Sequence, residues 1–149
     1  MDIAQVPGRG NYEKILISVK CENAMVAGDV VQWSDTASST YPLGIAVEDS
    51  AAGSGRIAGV IVRTAAIGEY TLCQIWGYNT NITTDGNVAA TDLFLDAGTA
   101  VAVGQTAAEV EADITTASIL GLKNVFAWNV TADVGTVGQG FITCMGGGG

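Results

Sequence analysis

Two apolar, β-rich runs, Ile57–Arg63 and Tyr70–Tyr78, stand on either side of the link Thr64–Glu69. Gly68 in that link is free to take a backbone angle that other residues resist. Runs of this kind joined by a short glycine-bearing link read as a hairpin or meander. Strand signals continue in both directions. Tyr12–Lys20 places Ile15, Ile17 and Val19 on one face, and Ala24–Ala27 and Val30–Trp33 flank a tight turn at Gly28-Asp29. Leu43–Val47, Val88–Ala89, Leu93–Leu95, Thr99–Val103, Val125–Val130 and Phe141–Met145 read as further short strands, with Asp96-Ala97-Gly98 as a turn. Short strands punctuated by turn signals predict an all-β fold, a barrel or sandwich.

One stretch departs from that pattern. Thr106–Leu120 carries Val110, Ile114 and Ala117 at helical spacing, and Thr106 with Glu109 has the form of a capping box. At most one short helix is expected, near residues 106–113, ending before Thr115-Thr116. The organisation read from the sequence is an arm over residues 1–12, a single β domain over 13–145 and a glycine tail over 146–149. A chain of 149 residues is long enough for one such core without disulfides or metal. A faint echo relates Leu43–Val62 to Leu120–Cys144, with Ala27-Gly28-Asp29 and Ala90-Thr91-Asp92 upstream, as two copies of one β-unit would.

Charged residues are only 14% of the chain, against a usual ~25%. The net charge is −9, and the six basic residues (Arg9, Lys14, Lys20, Arg56, Arg63, Lys123) are scattered. No basic patch is present to release phosphate counterions, so neither nucleic acid nor an anionic membrane is an expected partner. No apolar run approaches the ~20 residues of a membrane span. Cys21, Cys73 and Cys144 are widely spaced, without a CxxC, and read as reduced, buried thiols.

Chemistry is hard to place. With no histidine in the chain, Ser-His-Asp and Cys-His sites and the common catalytic zinc sites are excluded. Glu48-Asp49 would point to opposite faces of a strand, and Glu109 with Asp113 reads as a solvated helix face. Asp92 and Asp96 lack the alternating oxygens of a calcium loop, and Gly135–Gly140 is turn sequence, not a phosphate loop. No enzyme, cofactor or metal is expected. Aromatics carry more information. Tyr70, Leu72, Gln74, Trp76 and Tyr78 fall on one strand face by period two, and Trp33, Phe126 and Trp128 lie on other strands. Such a row either fills a barrel core, stacks sugars or anchors a protein interface.

The block around these runs resembles one found in small phage head proteins that decorate or cement the outside of a capsid. In that family an AGV strand leads through a G-E-Y turn into a strand ending Q-V/I-x-G-Y. The matching residues here are Ala58-Gly59-Val60, Gly68-Glu69-Tyr70 and Gln74-Ile75-Trp76-Gly77-Tyr78. The likeness runs over roughly residues 24–104 and is best at 57–79. It implies a virion protein on the capsid exterior, assembled in the host cytoplasm. It also implies a homo-oligomer, commonly a trimer, that bridges neighbouring copies of the major capsid protein. Within that reading the arm (Ile3, Val6, Pro7, Tyr12), the C-terminal segment (Phe141, Met145) and the aromatics Trp76 and Tyr78 are the expected partner contacts. Four consecutive glycines hold no fixed shape unaided, so both chain ends are expected to be held by neighbours. The alternative is a carbohydrate- or receptor-binding β-module of a phage fibre or appendage, with Trp33, Trp76 or Trp128 as the stacking platform.

Overall fold

The structure, a computed structural model, describes residues 13–34, 45–51, 56–91, 94–98, 103–106 and 125–144. Among these residues there are nine strands and no helix: β1 (Ile15–Cys21), β2 (Val30–Trp33), β3 (Ala46–Asp49), β4 (Ile57–Ile61), β5 (Tyr70–Thr83), β6 (Phe94–Ala97), β7 (Gly104–Thr106), β8 (Val125–Val134) and β9 (Val137–Thr143). The fold is all-β, as the spacing of short strands predicts. Thr106, expected to cap a helix, is instead paired in β7 opposite Leu95; the rest of the expected helix over 106–113 lies outside the described residues. So do the arm over 1–12 and the glycine tail over 146–149. Asp96 and Ala97, read as a turn, belong to β6, and Val88–Ala89 is not a strand.

Five strands close on themselves in the order β1-β3-β2-β4-β5, with β5 pairing back to β1. β1 and β3 run parallel and the other neighbours antiparallel. Alternate residues point into this barrel, where Val19, Cys21, Val31, Val47, Ala58, Ile61 and Cys73 form a core with Met25 and Ala65. Each aliphatic side chain of Val or Ile size buried there contributes about 1.5–3 kcal/mol.

A local two-fold repeat organises the barrel. The segment 21–33 and the segment 61–73 follow the same path: a strand end, a bridge residue, a turn and a new strand. Met25 and Ala65 bridge each other through reciprocal N–H to O=C bonds of 2.9 and 3.0 Å. The amide of Gly28 donates to Ile61 and that of Gly68 to Cys21, while the carboxylates of Asp29 and Glu69 accept from the amides of Val26 and Ala66. Gly28 and Gly68 both have positive φ, 105° and 80°. This repeat has a different offset from the echo read in the sequence.

β5 is 14 residues long and outruns the barrel. Its second half pairs with β9, and the sheet continues through β8 and β6 to β7. A parallel bridge between Thr84 and Gly104 brings β7 back beside the end of β5. Ile82, Val88, Leu95, Ala97, Phe126, Ala127 and Ile142 fill this second ring, together with Val30, Ile57 and Val60 from the outside of the barrel. That is why β4, IAGVI, is buried on both faces: one face lines the barrel and the other lies beneath the second ring.

Candidate interaction surface

The surface turns on one irregularity in β5. Ile15 pairs with Trp76 and Leu16 with Gln74, so β5 carries one extra residue, Ile75, where β1 carries none. Gln74 and Asn79 are both buried, and Asn79 Nδ2 donates to Gln74 Oε1 at 3.1 Å. Residues five apart on a regular strand face opposite ways, so the bulge is what lets these two meet. Gln74 Nε2 donates to the carbonyl of Gly77 at 2.9 Å, with those of Trp76 and Tyr78 at 3.2 and 3.3 Å. A buried amide satisfied at both ends stabilises the bulge instead of opposing it.

The predicted row of five therefore does not form one face. Tyr70, Leu72 and Gln74 share a side of β5, with Gln74 covered by the second ring. Trp76 and Tyr78 emerge on the other side, where Ile15 opposes Trp76. Residues directly opposite in paired strands share a face. Tyr78 opposes Phe141 on β9, and Phe141 in turn opposes Trp128 on β8. The result is an outward band, Ile15–Trp76–Tyr78–Phe141–Trp128, crossing four neighbouring strands. Trp76 and Phe141 meet edge to face, with centroids 5.1 Å apart and planes at 87°, a favoured aromatic geometry. The Tyr78 hydroxyl lies 2.6 Å from Gln139 Oε1 and donates to it. Trp128 keeps 55% of its surface exposed.

Of the expected contacts, Trp76, Tyr78 and Phe141 are thus brought together, while Ile3, Val6, Pro7, Tyr12 and Met145 lie outside the described residues. Two described residues, Glu13 and Cys144, lie at this band. The carbonyl of Glu13 packs under Gly77, and the amide of Cys144 donates to Ile75 at 3.0 Å. Ile15 joins the band unforeseen from the sequence, and Trp128, named there only as a sugar platform, is its most exposed member. Trp33 is partly buried and packs on the barrel core.

The thiols are poor nucleophiles. Burial pushes Cys144 up to about 12 and raises Cys73 further above its ordinary range, with lesser contributions from Cys144 and Cys21. Cys21 is raised by burial and then by Glu69. The adjacent Lys20 points outward, its Nζ 6.0 Å from the centroid of the Tyr70 ring. Glu48 accepts a hydrogen bond from Gln32 Nε2 at 2.8 Å. Among the described residues no group of three or more His, Cys, Asp or Glu is placed to hold a metal ion, and no helix is long and apolar enough to cross a membrane.

No protein-family model matches the chain, and no curated protein matches it. Among solved structures it is similar to the N base of the head fiber gp8.5 of bacteriophage phi29. The identity is 14%, the match covers 89% of this chain and 96% of that one, and the TM-score is 0.49. That likeness assigns no role to this chain.

Proposed function

We propose that this chain is a non-catalytic structural protein of a phage head, a decoration or cement protein that docks on the outside of the shell through the aromatic band. The observation that carries the reading is the band itself: Trp76, Tyr78 and Phe141, with Trp128 beside them, on a continuous outward sheet face. Large aromatics clustered on a flat face are the residues that dominate protein interfaces. The block at 57–79, similar to that of decoration proteins, ends within this band. Glu13 and Cys144 lie at its edge, and in this reading the arm over 1–12 and the residues from Met145 onward serve as further contacts with neighbouring copies and the major capsid protein. Self-association as a trimer multiplies weak contacts by lattice symmetry, and binding to the expanded shell stabilises it by mass action.

The first test is a count: quantitative mass spectrometry of the source particle, giving copies of this chain per major capsid subunit. A ratio comparable to the capsid protein is expected; a handful of copies, or none, overturns the cement role. The second test is residue-specific. Trp128→Ala and Phe141→Ala chains are expected to occupy purified particles at least about tenfold less well than the parent, the loss typical of a central aromatic contact. Undiminished occupancy refutes docking by this band. The exposed Trp128 ring, with Gln139 and Tyr78 nearby, favours one other reading, a glycan platform. Tryptophan fluorescence that responds to neutral glycans, together with unchanged particle occupancy, would select it.

A further inference from the structure

A second surface lies across β5 from the aromatic band. On the outer face of the barrel Ser18 opposes Leu72 and Lys20 opposes Tyr70. Leu16 stands on the same face, two residues before Ser18. On the other side of β5 the chain leaving β4 carries Val62, whose amide donates to Leu72, and Arg63, whose carbonyl accepts from the Thr71 hydroxyl. Ser18, Arg63, Tyr70, Thr71 and Leu72 line a shallow groove of about 270 Å³. Leu16, Val62, Tyr70 and Leu72 are all exposed, Tyr70 by 60%. Scattered exposed hydrophobics are ordinary, but a contiguous set on one face marks a contact.

Charge says what would cover it. The chain carries −9 with six basic residues, yet Lys20 and Arg63 both stand at this patch, one on each side of β5. Two cations are too few to hold a nucleic-acid backbone, where several phosphates must be neutralised together. They suit an extended segment that carries carboxylates and apolar side chains on the same face, at every second residue. In an extended strand, side chains two residues apart point the same way about 7 Å apart, so a Glu-x-Val-x-Glu pattern lays one apolar side chain over β5 with a carboxylate on either side, one for each cation.

We propose that this face docks an extended acidic segment of a partner protein, its carboxylates on Lys20 and Arg63 and its apolar side chains among Leu16, Val62, Tyr70 and Leu72. The inference deepens the reading as a bridging protein, which needs two faces, but it can be tested without a particle. The probe is a fluorescein-labelled synthetic peptide of the repeat Glu-Ser-Val-Ser, which sets Glu and Val on one face of an extended strand, read by anisotropy against the purified chain, with a Lys-Ser-Val-Ser peptide as control. Saturable binding of the Glu peptide alone is expected, weakening with added salt as screening requires. The double variant K20E/R63E should lower affinity at least about tenfold, because opposite charges are replaced by like ones. K20Q/R63Q reads the same contact if the reversal fails to fold. Equal binding of both peptides, no binding, or binding unchanged in these variants overturns the proposal. So does a preference for an acidic polysaccharide or single-stranded DNA over the peptide. Loss of particle occupancy in Trp128→Ala tests the aromatic band alone, so either surface can fail while the other stands.

Discussion

Gly77 shows how much of the surface depends on one missing side chain. Its φ is 99°, and a Cβ built there would lie 2.1 Å from the carbonyl oxygen of Glu13 and 3.1 Å from Lys14 Cα. Both neighbours are backbone, which cannot swing aside as a side chain can. Gly77 also presents the carbonyl that Gln74 Nε2 binds at 2.9 Å, so a shift here disturbs the bulge that turns Trp76 outward. Gly68 is the natural comparison: its φ is 80°, but an added Cβ meets nothing within 4 Å. Gly68→Ala should therefore cost only the left-handed penalty, about 1–2 kcal/mol. Gly77→Ala adds a backbone clash and should cost more than about 3 kcal/mol. Urea unfolding of the two variants checks the order, and equal losses would contradict the close packing at Glu13.

Along β8 the second core and the outward band are separated by a bulge: Leu95 pairs with Ala127 and Asp96 with Val125, so Phe126 is an extra residue and leaves the face it would share with Trp128. Phe126 is fully buried in the second core, against Gly104, while Trp128, two residues on and past a buried Ala127, stands 55% exposed. Phe126→Ala should cost about 3–5 kcal/mol, as large truncations in cores do. Trp128→Ala should change stability by no more than about 0.5 kcal/mol, and the measurement is again the denaturant midpoint. A comparable loss for both would make Trp128 a core residue and remove the band's centre. Sequence spacing reaches part of this. It predicts β1, β2, β4 and β5 and the turns at Gly28-Asp29 and Gly68, because these are written in local alternation and glycine placement. It also picks out Trp76, Tyr78 and Phe141. Their assembly is not legible, because the register that sets Tyr78 opposite Phe141 and Phe141 opposite Trp128 joins distant segments. The bulge at Ile75 is invisible too, so the period-two row from Tyr70 to Tyr78 reads as one face. The repeat of 21–33 in 61–73 had a usable signal, Gly28-Asp29-Val30 against Gly68-Glu69-Tyr70. It is masked because Met25 corresponds to Ala65 and, Gly28 and Gly68 apart, the roles and not the residues are kept.

At the scale of the molecule, one long strand carries an aromatic band on one side and a cationic, apolar groove on the other, in a chain whose net charge is −9. That charge, and where its members sit, gives the fold a definite pH response. Burial raises Asp29, an effect its bond from the Val26 amide only partly offsets, and it raises Asp49, which Asp29 and Glu48 push further. A carboxyl whose folded pKa is raised binds its proton more tightly in the folded state than in the unfolded one. Its contribution therefore falls as pH rises from the unfolded Asp value of about 3.9 through the higher folded value. Self-repulsion among the remaining carboxylates acts in the same direction. The urea midpoint should be higher near pH 4.5 than near pH 7, the opposite of a protein held by ion-paired carboxylates. Asp49→Asn removes the charge that Asp29 and Glu48 oppose while keeping the side chain's size. It should raise the midpoint at neutral pH and flatten the slope between the two conditions. A midpoint that climbs with pH in the parent chain, or a slope untouched by Asp49→Asn, would place the pH response in other carboxylates.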